Sequence, residues 1–503
     1  MWLLIVIFMA KAIIITFVHA PYSGHDEVAH YAYLQIVAEE HRIPVLPDLA
    51  DWQQARRETG RETHDRIPAE FWEYCNRTTR DWSPGCKDAK FPNPVYTMSL
   101  GGAFYPTGWI YTANHPPLYY LVMTPMYWLT SGLSIEAKLY ALRLAAIPFG
   151  IATVVLAWLT ARLLFGNERF LTLAVPIFVA FQPQISYESA MLNNDILAIA
   201  TTSMVMYLVV KGLKTRFPLR TVVWIGFFLG LALLSKSTAF TIGITVAIAL
   251  VLSLGVRSWR NWLGKGALVA AIASALVWPW ELFMYRTYGD FTALARIHEL
   301  QYWNYQSGKV PSVWEQLTSK PFFWMRWRET WGEFGWRLIP LGRIGHWPVL
   351  KILFFIALLA TVGLAIWSIR LWHTSRKAGR MPTEPAREAY LAAADPVTVL
   401  EQWQVVGVLV MGVTCIIAYA AVLQFGTTFS LTQARYFFPA IIPAAVIAML
   451  GLRSIIPCRL APYGPVIIFL LLVVLNVWIY SAFVLPYGAT AGAASNALDP
   501  LYR

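Results

Sequence analysis

The chain divides into a dozen apolar blocks, and no other feature narrows its fold as much. They fall at about 2–18, 116–131, 141–163, 170–187, 189–210, 222–238, 239–256, 266–282, 347–371, 403–425, 433–452 and 464–486. Most have the roughly 17–25 residues that a helix needs to cross a hydrocarbon core. In a bilayer each backbone N–H and C=O must be satisfied within its own segment, so blocks of this kind are read as helices. Composition agrees: 57% of residues are hydrophobic and 14% charged, against about one half and one quarter in soluble domains. A soluble globular enzyme and a disordered chain are both excluded. The expectation is an all-α polytopic membrane protein, a bundle of about 11 transmembrane helices with two long outer loops carrying amphipathic helices.

The charges then orient the bundle. The net charge is +12, from 40 Lys and Arg against 28 Asp and Glu. In a soluble protein this would raise nucleic-acid binding; in a membrane protein, cytoplasmic loops collect Lys and Arg. About sixteen basic residues and few acids lie in the loops 162–169, 211–220, 257–265, 370–387 and 453–459. All five are therefore expected in the cytoplasm. This puts Gln184–Asp195, the Ser235–Thr238 turn, 284–346, the Gln424–Arg435 turn and the long loop 19–115 outside. The first block has a signal-peptide alternative, with a weak cleavage site at Val18-His19-Ala20. It lacks a basic start and carries Lys11 at its centre, so a retained helix with its N-terminus inside is expected. An inside N-terminus and an outside C-terminus need an odd number of spans. One of 116–131, 141–163 and 170–187 is then not a full span, and 116–131, with Pro116, Pro117 and Pro125, is the shortest. Lys11 itself has several readings: snorkelling, pairing with Asp195 or Glu281, or lining a cavity.

Few charges remain for the apolar part, and these are the functional candidates. Asp26 and Glu27 follow the first block in Gly24-His25-Asp26-Glu27-Val28-Ala29-His30-Tyr31. On a helix His30 lies over Asp26 and Tyr31 over Glu27. A carboxylate there can act as a general base on a hydroxyl, or can simply face the helix dipole. Asn114-His115-Pro116-Pro117-Leu118-Tyr119-Tyr120 marks where the long loop returns to the membrane, either as structural punctuation or with His115 facing a cleft. Asn193-Asn194-Asp195 follows Glu188 at the outer end of block 189–210. Lys236 interrupts a long apolar stretch at its outer turn, Glu281 follows Trp278-Pro279-Trp280, and Arg435 and Tyr436 open Arg435-Tyr436-Phe437-Phe438-Pro439. Each can be an interfacial anchor or cap. Together they put acids and bases from distant parts of the chain at one face. Lys236 and Arg435 suit a phosphate at headgroup level, and Asp26 suits a hydroxyl nucleophile. The loop 284–346 is crowded with Trp and Arg, including Trp314, Trp324, Trp327, Trp331, Arg326 and Arg328, a composition that lies naturally at the headgroup level. Cys75 and Cys86 lie close together in the first loop, where a disulfide is expected over two free thiols if that loop is outside. Asn76-Arg77-Thr78 matches a glycosylation sequon, a short match of a kind that is usually unused.

This order of motifs resembles the GT-C superfamily of polyprenyl-phosphate-sugar-dependent glycosyltransferases, which includes protein O-mannosyltransferases and aminoarabinose transferases. The acidic pair Asp26-Glu27, the His115-Pro116-Pro117-Leu118-Tyr119-Tyr120 string, the acid of Asn194-Asp195 and the lysine of Leu234-Ser235-Lys236 carry the likeness. Trp331-Gly332-Glu333-Phe334-Gly335-Trp336 and Ala434-Arg435-Tyr436-Phe437-Phe438-Pro439 look closer to a bacterial branch of membrane proteins. The resemblance implies a GT-C-like bundle and transfer of a sugar from a polyprenyl-phosphate donor to a lipid, glycan or protein hydroxyl on the non-cytoplasmic face of a bacterial-type inner membrane, with inversion. Asp26 would be the base, with Glu27 and Asp195 as further catalytic acids. Lys236 and Arg435 would hold the lipid phosphate, with His30, His115, Asn194, Glu281 and Tyr436 lining the substrate site. It implies a catalytic module over 1–283, a Trp- and Arg-rich outer loop over 284–346 and C-terminal transmembrane helices over 347–503. A short tail after Pro486 makes a member without a large C-terminal soluble domain the expectation. The superfamily has metal-dependent and metal-independent types. Asp26, Glu27, Glu188 and Asp195 can supply carboxylates to Mg²⁺ or Mn²⁺, but with two cations for the phosphate the metal-independent type is expected. The alternatives are a lipid-linked sugar flippase, which needs a charged cavity reachable from both sides, and a non-catalytic membrane subunit, in which Asp26 and Lys236 share no pocket.

Overall fold

The structure is a computed structural model. It describes residues 1–46, 48, 110, 112–166, 168–297, 299, 311–334, 339–341, 347–427 and 433–486. Cys75, Cys86 and the Asn76 sequon lie outside the described residues. The chain is an all-α polytopic membrane protein. Among the described residues the only sheet is an antiparallel pair of two-residue strands, Glu333 opposite Pro340 and Phe334 opposite Ile339.

The first half runs α1 (Trp2–Val18), α2 (Glu27–Glu40), α3 (Leu118–Leu129), α4 (Ile135–Phe165), α5 (Arg169–Phe181), α6 (Pro183–Ser189), α7 (Asp195–Thr215), α8 (Leu219–Ser235), α9 (Phe240–Leu254) and α10 (Trp259–Tyr288). The second half adds α11 (Val313–Thr318), α12 (Lys320–Trp331), β1 (Glu333–Phe334), β2 (Ile339–Pro340), α13 (Trp347–Ala378), α14 (Glu384–Ala393), α15 (Gln402–Gly426), α16 (Ile441–Ile455) and α17 (Gly464–Ile479). Eight described helices are long and apolar enough to cross a membrane, and the bent pair α5–α6 makes nine. Two further apolar helices, α1 and α8, are shorter, at 17 residues each. Block 116–131 yields only the 12-residue α3, too short to span.

Helix directions sort the loops into two poles. Arg143 near the start of α4 donates to Thr16 O and His19 O at the end of α1. Asn476, late in α17, donates to Phe181 O at the end of α5. Gln316 in α11 donates to Leu423 O, late in α15. At the other pole Gln404 at the start of α15 donates to Leu164 O at the end of α4, Lys265 donates to Arg216 O, and Arg370 donates to Ser454 O. Buried Arg453 binds Glu168 at 2.8 Å and Asp395 at 2.9 Å there. All five basic loops lie at this second pole, and Asp26, Lys236 and Arg435 at the first.

Lys11 pairs with neither Asp195 nor Glu281. The chain bends by 61° between α5 and α6, leaving α5 carbonyls without helical donors in an apolar setting. Lys11 Nζ donates to Ala180 O at 2.6 Å and lies 4.3 Å from the Phe181 ring centroid. Its cation therefore caps the C-terminus of the broken helix, where the backbone dipole is negative.

Helix α2 is buried on nearly every side. The α3 segment covers it: Tyr127 donates to Glu39 at 2.5 Å, Trp128 Nε1 to Ala38 O at 2.9 Å, and the Tyr33 and Tyr120 rings stack 3.6 Å apart. A core of Tyr22, Tyr33, Tyr119, Tyr120, Leu142 and Trp280 unites α2, α3, α4 and α10 under this cover.

Candidate active site

The turn Ser23–Glu27 is pinned from three directions. Tyr187 of α6 donates to Ser23 O at 2.8 Å. His25 Nδ1 lies 3.2 Å from Glu188 Oε1. Glu27 receives Arg143 Nε at 2.7 Å and Nη2 at 2.6 Å, with the Gly24 and Leu192 N–H groups each at 3.0 Å. Both members of this bidentate pair are fully buried. Glu27 therefore has four donors, and Arg143 ties it to the end of α1 through three carbonyls.

Asp26 is held differently. It takes the left-handed backbone conformation at φ 54° that non-glycine residues rarely adopt, and its side chain makes no cap to α2. The helix-dipole reading of Asp26 thus gives way to a side-chain one. Its Oδ2 receives Arg435 Nη2 at 2.5 Å. Arg435 Nη1 reaches Asp195 Oδ2 at 3.2 Å, and Lys236 Nζ donates to Asp195 Oδ1. Asp26, Asp195, Lys236 and Arg435, from four distant segments, form one buried network, none more than 7% exposed. Each side chain sits where a helix starts or stops: Asp195 opens α7, Lys236 ends α8, and Arg435 lies in the 3-10 turn Ala434–Ala440 before α16. Tyr436 presents its ring 4.7 Å from Lys236 Nζ.

A neutral polar wall stands beside the charges. His30 Nδ1 lies 2.9 Å from the Tyr120 hydroxyl, and the His30 and His115 rings are 5.8 Å apart. Asn194 Nδ2 donates to His115 Nδ1 at 3.4 Å and to Ser235 O at 3.0 Å, joining this wall to the Lys236 turn. Burial pushes His30 down to about 3, with Asp26 opposing, and His115 down to about 4, with the Lys236 cation adding to the loss of solvation. Both imidazoles are neutral near neutral pH and act by hydrogen bonding.

Nine of the ten sequence candidates join the cluster or its immediate supports. Glu281 stands apart: it is half-buried on α10 with no hydrogen bond or ion pair to the cluster among the described residues. Sequence reasoning passed over Arg143, although a charge inside block 141–163 was a visible signal. It also missed Glu329, whose Oε2 receives the Ala434 N–H at 3.1 Å and so fixes the turn that carries Arg435. No local pattern marks Glu329, which comes from a segment more than a hundred residues away. Among the described residues no three His, Cys, Asp or Glu side chains are grouped to hold a metal ion.

Membrane-crossing helices with a buried acid–base cluster at one pole can be compared with known proteins. Residues 114–280, about a third of the chain, match the family model described as Dolichyl-phosphate-mannose-protein mannosyltransferase. His115, Asp195 and Lys236 lie inside that segment. No curated protein matches the chain. Among solved structures, ArnT from Cupriavidus metallidurans bound to undecaprenyl phosphate is 15% identical, with 98% of this chain and 74% of that chain covered and a TM-score of 0.46. The Archaeoglobus fulgidus oligosaccharyltransferase in complex with Zn and sulfate is 13% identical, with 97% and 53% covered and a TM-score of 0.45. This chain thus spans about half of the oligosaccharyltransferase's length.

Proposed function

We propose that the protein transfers a sugar from a polyprenyl-phosphate donor to a hydroxyl acceptor, with inversion, at the pole where Asp26, Asp195, Lys236 and Arg435 meet. The observation that carries this reading is their convergence into one buried network from four separate segments. Asp26 Oδ2 takes the acceptor's hydroxyl proton. The acceptor oxygen bonds to the anomeric carbon, the carbon–oxygen bond to phosphate breaks, and the phosphate leaves with the electron pair. Lys236 and Arg435 neutralise the charge that develops on the leaving phosphate, the kind of preorganised stabilisation that lowers such barriers most. Asp195 orients both cations, while His30, His115 and Asn194 supply hydrogen bonds to sugar hydroxyls. Glu27, saturated by Arg143 and two backbone donors, holds the turn rather than the proton. Metal-independent transfer accords with two cations being available for the phosphate.

On this reading the Lys- and Arg-rich pole faces the cytoplasm. This puts the N-terminus inside and the site on the non-cytoplasmic face of a bacterial-type inner membrane, with lipid, glycan and protein hydroxyls as the acceptor classes. Purified protein supplied with polyprenyl-phosphate sugars and an acceptor panel tests the chemistry. Asp26→Asn is expected to lower transfer by about a hundredfold or more while the melting temperature is kept. Wild-type transfer by that variant would overturn the assignment of the base.

A further inference from the structure

The two groups that the reaction assigns to opposite tasks are bound to each other. Arg435, a phosphate ligand in the proposed reaction, has one Nη on Asp26 and the other on Asp195. Lys236, the second phosphate ligand, is spent on Asp195. A lipid phosphate arriving at this site meets cations that are already neutralised, and Asp26 cannot take a proton through an oxygen that holds Arg435. Two buried polar atoms of the cluster nevertheless have no hydrogen-bond partner among the described residues: Arg435 Nε, a donor, and Asn194 Oδ1, an acceptor. Such atoms are costly to leave unpaired, and they mark a network that is satisfied internally only in part.

We propose that Asp26 and Asp195 are built-in competitors of the donor phosphate, so that lipid-phosphate binding draws Arg435 off Asp26 and thereby arms the base. The inference rests on the reading of Lys236 and Arg435 as the phosphate ligands. In the ligand-free state the carboxylates stand in for the phosphate, keeping two cations neutral in a buried setting where unpaired charge is costly. Two oxygens of a tetrahedral phosphate match the planar fork of the Arg435 guanidinium bidentately. Once Arg435 turns to it, Asp26 Oδ2 is released from the guanidinium and can take a proton from the acceptor hydroxyl. Donor binding must therefore precede base action, and an acceptor or a water arriving first meets a masked carboxylate. The ionisable groups around the guanidinium are Asp26, Asp195, Lys236, Tyr436, His30, His115 and, more remotely, Glu188; with the tyrosine and both imidazoles neutral, the exchange is set chiefly by the two aspartates.

The test is binding of undecaprenyl phosphate, without sugar or acceptor, to the full chain in nanodiscs. Removing a competitor should tighten binding, although the residue removed is itself proposed to be catalytic. Asp26→Asn is expected to bind the lipid about tenfold more tightly than wild type, a size within the couplings of close buried charge pairs. In an Arg435→Gln background the same substitution should give no gain, because the competition runs through Arg435. Should Asp26→Asn fail to fold, Asp195→Asn carries the same expectation, since it frees Lys236 as well. Unchanged or weaker binding by folded Asp26→Asn and Asp195→Asn overturns the competition while leaving the transferase reading intact. Absence of lipid binding by the wild type itself overturns the transferase reading.

Discussion

Asp26 and Glu27 are adjacent in sequence and answer to different cations, which separates their tasks. Glu27 meets Arg143 in a fully buried bidentate pair that also clamps the end of α1. Removing one partner of such a pair leaves an uncompensated buried charge and costs about 3–5 kcal/mol, while replacing both with apolar groups of similar volume is near neutral. Glu27→Ala is therefore expected to lower unfolding stability by about 3–5 kcal/mol. Combining Glu27→Leu with Arg143→Met should recover much of that loss, read from thermal melts of the detergent-solubilised protein. A single Glu27→Ala variant with wild-type melting and lost transfer would instead give Glu27 a direct part in the chemistry. In the proposed reaction Asp26, whose guanidinium partner is shared with Asp195, is the more suitable base.

At the scale of elements, the bundle is held by approaches that only small residues permit. Helices α13 and α16 cross where Gly363 and Gly451 face each other. A Cβ at Gly451 would fall inside the contact distance of the Ala360 carbonyl oxygen, and one at Gly363 would meet the Gly451 carbonyl. Small residues allow this backbone approach in membranes, where no hydrophobic force draws helices together. Gly451→Ala is expected to cost about 1–3 kcal/mol as the helices are forced apart. Gly412→Ala on α15, whose Cβ would meet Ile447 at 3.8 Å, should be neutral or stabilising because alanine favours helix. Equal melting temperatures for the two variants would show that the crossing yields easily. The α5–α6 break belongs to the same scale: Lys11 and Asn476 satisfy the carbonyls that a straight helix would have satisfied itself.

At the scale of the whole molecule, the two poles carry different networks. Arg453, Glu168 and Asp395 join three segments at the basic pole, and exposed Cys458 lies 3.3 Å from Asp395 there. The aspartate–cation cluster occupies the other pole. With Cys75, Cys86 and Cys415 changed to Ser, a membrane-impermeant maleimide is expected to label Cys458 in inverted vesicles and not in intact cells. Labelling in intact cells would reverse the orientation and put the site inside. The site also draws on both ends of the chain, since Asp26 and Arg435 are 409 residues apart and share a hydrogen bond. The first half of the chain therefore does not complete the site without the C-terminal helices.

The sequence alone determined the class of structure and the separation of the poles. Apolar length is a local property, and bilayer thickness converts it directly into helices; loop charge is likewise counted residue by residue. It also named the residues that converge, because a charge in an apolar setting is conspicuous wherever it falls. Pairing was decided only by the tertiary structure. Nothing local says that Glu27 takes Arg143 while Asp26 takes Arg435, that Lys11 caps a broken helix, that Glu281 stands apart, or that Glu329 braces the Arg435 turn. Each of those contacts joins segments many tens to hundreds of residues apart. Which partner a buried charge finds depends on where helix ends meet in space, and that is fixed by packing rather than by any pattern along the chain.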